Sequence, residues 1–131
     1  MQRVLNFLQD NKIFYLATTD GDQPRVRPFG IAIEYKGKLC IGTGSGKDVY
    51  KQLIANPKAE ISATDKDGVF LRVSGTLKTV NDTAAKEKFF EVLPRLKVLY
   101  SGDTAQTFTV LAFENAQAVF QNGQAKEAYT L

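Results

Sequence analysis

Apolar residues recur at Val4, Leu5, Phe7 and Leu8, an i, i+3, i+4 stripe that predicts a short amphipathic helix over residues 2–11. The spacing then changes. "IFYLATT" (13–19) is a compact apolar run that predicts a buried strand, and "DGDQ" (20–23) supplies an Asp-Gly turn. The next run, "PRVRPFGIAIEY" (24–35), predicts one strand on which Arg25, Arg27, Phe29, Ile31 and Ile33 share a face, because side chains alternate across a strand. "KGK" (36–38) turns the chain into "LCIGT" (39–43), so three antiparallel strands come first. A helix follows in "GSGKDVYKQLIANP" (44–57), with Ser45 and Asp48 at capping-box spacing and Asn56-Pro57 at its end.

Beyond it, "AEISATD" (59–65) and "VFLRVSGTLKTV" (69–80) form a strand pair across Lys66-Asp67-Gly68. Asp82 is the expected N-cap of a helix containing Ala85, Phe89, Phe90 and Leu93, which Pro94 either ends or kinks into "RLKVLY". "TFTVLAF" (107–113) and "AQAVFQ" (116–121) give two more strands, the second followed by Asn122-Gly123. Seven strands with tight turns and few helices predict a mainly β protein, a closed or nearly closed antiparallel barrel in a single domain over residues 1–131. The helix at 46–55 alternatively reads as a βαβ crossover.

Composition narrows the chemistry. At 131 residues and 44% hydrophobic, the chain can bury one real core. No apolar run approaches the roughly 20 residues needed to span a bilayer and there is no leader-like pattern, so a cytoplasmic protein with no membrane association is expected. There is no histidine, which excludes His-ligated zinc or haem and Ser-His or Cys-His catalysis. The single cysteine, Cys40, alternates with Leu39 and Ile41 and reads as a small core residue. The net charge is +3, but the 17 Lys and Arg are scattered and form no basic arm, so nucleic acid is not an expected partner.

Arg25 and Arg27 lead into an apolar face. Guanidinium groups at the rim of a core are costly unless an anion meets them. "GTGSGKD" (42–48) fits neither a P-loop, because Ile41 and Asp48 stand where Gly and Ser/Thr are required, nor a dinucleotide fingerprint, because its spacing is G-x-G-x-G. A Gly-rich turn opening a helix nevertheless offers backbone N–H groups and the positive end of the helix dipole. The loop is either an anion site using Lys47 or only a turn with a solvated lysine. Pairing of 24–34 with 39–43 would bring Arg27 close to Thr43 and Lys47, which favours the anion site.

"YLATTDGDQPRVRPFG", "GKLCIGTGSGKDVYKQLIANPKAEISA" and "VFLRVSGTLK" together resemble the pyridoxamine 5′-phosphate oxidase-like family of FMN-binding split β-barrels, in particular its short members similar to nitroimidazole reductases. The likeness runs from about residue 5 to residue 121. It implies a Greek-key-like antiparallel split barrel and a homodimer with FMN at the subunit interface. On that resemblance Arg27 and Lys47 match the FMN-phosphate ligands, Arg25, Val26, Pro28 and Phe29 run along the flavin, and Thr43 lies in the strand end that hydrogen-bonds it. Two positions depart from the vitamin-synthesising oxidases: Phe70 replaces a glutamine that touches the flavin, making that contact apolar, and the C-terminal Arg-x-His substrate motif is absent.

The expected function is thus an FMN-dependent oxidoreductase that passes hydride from NADH or NADPH to a small acceptor. Because the cofactor carries the redox chemistry, no protein acid or base is required. The alternatives are a flavin-binding module that stores or senses FMN without turnover and a nucleic-acid-binding barrel, which would need exposed aromatics beside a basic groove. Tyr50, one turn after Lys47, either flanks the flavin or packs the helix. Arg72 either touches cofactor or partner subunit or faces solvent, and Phe89 and Phe90 are core or dimer contacts.

Overall fold

The computed structural model describes residues 1–100 and 107–131. Helix α1 (Gln2–Asn11) buries Val4, Leu5 and Leu8 and is followed by strands β1 (Phe14–Asp20), β2 (Gln23–Phe29), β3 (Ala32–Tyr35) and β4 (Lys38–Gly44). Helix α2 (Asp48–Ala55) leads into β5 (Lys58–Thr64) and β6 (Phe70–Val80). Helices α3 (Thr83–Val92) and α4 (Arg95–Leu99) precede β7 (Phe108–Asn122) and β8 (Ala125–Thr130). Among the described residues, no helix is long and apolar enough to cross a membrane.

The strands form one antiparallel sheet of eight, in the order β2-β1-β5-β6-β7-β4-β3, with β8 added to β7. The long strand β7 gives one edge to β6; its other edge is shared, with Phe108–Ala112 pairing β4 and Gln117–Asn122 pairing β8. The sheet is open rather than closed, because β2 and β3 stand at its two ends and do not pair. Only Gly30 and Ile31 connect those two ends. A link that short spans at most about 3.6 Å per residue, so the sheet must curl until its edges nearly meet. The result is a barrel with one seam.

This seam corrects the reading of residues 24–35 as one strand. β2 is the partner of β1, from Phe14↔Phe29 to Asp20↔Gln23, whereas β3 pairs β4. The chain therefore changes sheet edges at Gly30, and the pairing of Arg27's strand with 39–43 does not occur. Two expected strands, 107–113 and 116–121, are in turn one: Asn115, at φ 51°, and Ala116 form a bulge opposite the single residue Gly75, and the strand bends without turning back. β8 was not anticipated. Its six residues are all exposed and it is held by backbone pairing to β7.

The interior of the curl is filled by Leu16, Leu39, Ile41, Ile61, Leu71 and Val73, closed off by α1 and by Val49 and Leu53 of α2. A second cluster, with Ile33, Cys40, Phe89, Phe108 and Val110, lies on the other side of β4 and β7 beneath α3. Both faces of these two strands are therefore covered, which explains the unbroken apolar runs "LCI" and "FTVLAF". Asp82 caps α3 as expected, accepting from Ala84 N at 3.2 Å, and α3 stops at Val92, two residues before Pro94, with α4 as a separate turn.

Candidate functional site

The seam opens into a cleft of about 300 Å³. Its lining brings together Arg27 and Phe29 of β2, Gly30, Thr43 at the end of β4, and Lys47 with the apolar Phe89, Leu93, Leu96, Tyr100 and Phe108. A larger polar lobe of about 780 Å³ lies between the β1–β2 turn and α2, where Arg25, Val26, Lys51 and Gln52 join the lining. Arg27, Lys47 and Val49 line both, so the two volumes adjoin at these residues. Small-molecule sites fall in the same range, roughly 300–1,000 Å³.

Arg27 is the half-buried charge at this junction. Its Nη1 donates to the Leu16 carbonyl oxygen (3.0 Å) and Thr18 Oγ1 (2.8 Å), and its Nη2 donates to Gln52 Oε1 (2.6 Å). None of these acceptors is charged. Burial holds its pKa below the ordinary arginine value and the neighbouring Arg25 lowers it further, with Asp48 opposing both. Arg25, which is exposed, reaches Asp20 Oδ2 at 3.4 Å. Lys47 is exposed and occupies the N-cap position of α2, and no side chain caps that helix.

The expected capping box is thus absent. Ser45 is instead bound to the start of β7, its N–H donating to the Thr107 carbonyl and its Oγ accepting from Thr107 N, both at 2.9 Å. That pair fixes the Gly-rich loop to a strand and leaves the first turn of α2 open toward the polar lobe, where Asp48 and Val49 join the lining. Buried Thr43 lies opposite Thr109 on β7.

Seven of the nine residues singled out from the sequence line these two adjoining cavities: Pro28, Phe29 and Thr43 the cleft, Arg25 and Val26 the polar lobe, and Arg27 and Lys47 both. They meet across the curled seam, with β2 at one sheet edge and β4 next to the other, beside β3. Tyr50 and Phe70 line neither. Tyr50 packs against the core cluster that contains Val49 and Leu53, the helix-packing alternative of the two it carried. Phe70 begins β6 opposite Thr64 and Gln121, with the Arg72 guanidinium 5.9 Å above its ring.

A family model for pyridoxamine 5′-phosphate oxidase matches residues 1–122. The chain belongs to the pyridoxamine 5′-phosphate oxidase-like family. Its structure is similar to that of a NimC/NimA family protein from Clostridium acetobutylicum, with a TM-score of 0.90 and 42% identity over 100% of this chain and 92% of the other. More distant likenesses carry the fold alone. One is a pyridoxamine 5′-phosphate oxidase-related, FMN-binding protein from Nostoc punctiforme (TM-score 0.66, 16% identity, 99% and 93% covered). Another is a haem-binding protein from Mycobacterium smegmatis (TM-score 0.73, 14% identity, 96% and 56% covered). No curated protein sequence matches. With these likenesses, the open eight-stranded sheet is the split barrel of the pyridoxamine 5′-phosphate oxidase-like family.

Sequence reasoning did not single out Thr18, Gln52 or the α3–α4 wall. Thr18 did carry a signal: Phe14, Leu16 and Thr18 alternate inward on β1, and a polar residue in such a row needs a buried partner. Gln52 carried none, since its partners are 25 and 34 residues away in the chain.

Proposed function

We propose that this chain is an FMN-dependent oxidoreductase that reduces a small acceptor with electrons from a nicotinamide donor. The observation that carries the reading is the mixed lining of the cleft: a half-buried Arg27, whose hydrogen-bond acceptors are all neutral, and Lys47 share it with the aromatic Phe89, Tyr100 and Phe108. A phosphate on a short chain attached to a flat ring system has that same mixture of polarity. Arg27 would meet the phosphate with a planar fork and Lys47 as a point charge. Phe29 and Thr43 would stand along the ring, and Leu93, Leu96, Tyr100 and Phe108 would exclude water from it. When bound, the flavin supplies hydride acceptance and donation, and the protein binds, orients and shields it. The NimC/NimA relative and the FMN-binding neighbour support this reading. A haem with a histidine ligand would find none in this chain.

The reading includes a homodimer. Tyr15 and Val26 are 50% and 65% exposed on neighbouring strands, and Arg72 Nε is buried without a partner among the described residues. An apolar sheet face beside the cleft suits a second copy that completes the site.

The test is to extract and identify the cofactor of the purified protein, then mix the FMN-loaded form with NADH or NADPH without oxygen. Retained FMN whose absorbance bleaches, and returns with a nitroaromatic or quinone acceptor, is the expected result. Retained FMN that dithionite reduces but neither nicotinamide reduces would overturn the nicotinamide route and leave a storage or sensing module.

A further inference from the structure

One end of the Arg27 guanidinium is engaged within the protein. Thr18 Oγ1 donates to Gln52 Oε1 at 2.6 Å, so the acceptors of Nη1 and Nη2 lie side by side. Two acceptors that close suit parallel N–H bonds from the two terminal nitrogens of one fork. A guanidinium has five N–H donors in one plane, one on Nε and two on each terminal nitrogen. Both hydrogens of Nη1 are used, by Leu16 and Thr18, and one of Nη2 by Gln52. The Nε–H and the second Nη2–H have no acceptor among the described residues, and they share the other edge of the plane.

The scaffold behind this is rigid. Leu16 is the cross-strand partner of Arg27, Thr18 is buried two residues along β1, and Gln52 reaches over from α2. We propose that Thr18 and Gln52 are positioning residues that fix Arg27 so that only its Nε–Nη2 edge is offered to the cleft, where it takes two oxygens of a phosphomonoester. Because Gln52 Oε1 already accepts twice, its Nε2 is turned away from Arg27 and has no acceptor among the described residues, although Gln52 lines the polar lobe. Gln52 thereby adds a neutral donor where a glutamate would add a negative charge. The inference deepens the FMN reading above and rests on it for the identity of the phosphate.

The experiment compares FMN with riboflavin, which lacks the phosphate, on the parent, Thr18→Ser, Thr18→Val and Gln52→Glu proteins, with Arg27→Ala as reference. Thr18→Ser should bind both as the parent does. Thr18→Val and Gln52→Glu should lose about tenfold or more in FMN affinity, with riboflavin affinity within about twofold. Parent-like FMN affinity in both, or equal losses for FMN and riboflavin, would overturn the proposal. If Thr18→Val does not fold, Gln52→Leu decides by the same comparison of FMN with riboflavin, since it removes the acceptor shared by Thr18 and Arg27 without adding charge. Should Arg27→Ala bind FMN as the parent does, the phosphate reading itself fails. The positioning claim is then decided by NMR of the ligand-free protein: slow rotation of the Arg27 guanidinium in the parent and in Thr18→Ser supports it, and free rotation in the parent overturns it.

Discussion

Gly42 on β4 lies so close beneath the ring of Phe108 that a Cβ at residue 42 would stand 2.2 Å from Phe108 Cζ and 2.9 Å from Cε1. The ring has little room to yield, because Phe89, Phe90 and Tyr100 surround it at centroid distances of 5.3, 5.5 and 5.3 Å. Gly42→Ala should therefore destabilise by about 1–3 kcal/mol, the usual cost of overpacking. The Gly42→Ala/Phe108→Ala double variant should lose less than the sum of the two singles, since removing the ring removes the clash. Urea denaturation of all four proteins checks this, and strict additivity would show that the close approach carries no energy.

Cys40 is fully buried, and burial pushes its thiol up from 9.0 to about 11. A thiol raised in this way keeps its proton in the fold while the unfolded chain releases it. Stability from this group is thus complete below pH 9 and falls as pH rises toward 11. At pH 8, Cys40 should react with an alkylating reagent no faster than the protein unfolds, and Cys40→Ala should lessen the alkaline loss of melting temperature. Rapid labelling of the folded protein would contradict the burial.

Asp82 ties α3 to the end of β3 and the turn after it: it accepts from the Tyr35 hydroxyl and from Ala84 N, and it meets Lys36 Nζ at 3.3 Å. The Tyr35 bond, then the Ala84 amide and Lys36, hold its pKa below the ordinary 3.8. A lowered carboxylate contributes above its unfolded value and loses that contribution as pH falls through the folded one. Asp82→Asn keeps a capping oxygen but gives up the charge. The gap in melting temperature between parent and Asp82→Asn should be present at pH 7 and shrink as the pH falls below about 3.8. A gap independent of pH would show that only the cap matters.

If a second copy completes the site, FMN should favour the dimer by mass action. Sedimentation at low protein concentration, with and without FMN, should show a larger dimer fraction in its presence. A monomer fully occupied by FMN would contradict the interface.

Most strands and helices were legible in the sequence because each buries one regular face: Phe14, Leu16 and Thr18 on β1, Ala59, Ile61 and Ala63 on β5. What was not legible depends on pairing. Gly30 sits in a run whose residues all suit a strand, and only the two edges of the curled sheet reveal it as the point where the chain changes sides. Asn115 has the look of a turn, yet as part of a bulge opposite Gly75 it bends one long strand. "AKEAYT" has no buried face, and β8 exists through its backbone bonds to β7. The candidate site shows the same division. Arg27 stands out on the face of a strand, Lys47 in a Gly-rich turn and Thr43 through the family resemblance, whereas the Thr18–Gln52 contact and the α3–α4 wall arise only once distant segments meet.

Arg27 and Lys47 are the proposed phosphate ligands of the cleft. Fluorescence titration of the parent, Arg27→Ala and Lys47→Ala proteins with FMN and with riboflavin tests this. Each substitution should weaken FMN binding about ten- to a hundredfold, the worth of a charge-assisted hydrogen bond of roughly 1.5–3 kcal/mol, and leave riboflavin binding nearly unchanged. FMN affinity equal to the parent's in both variants would contradict the site.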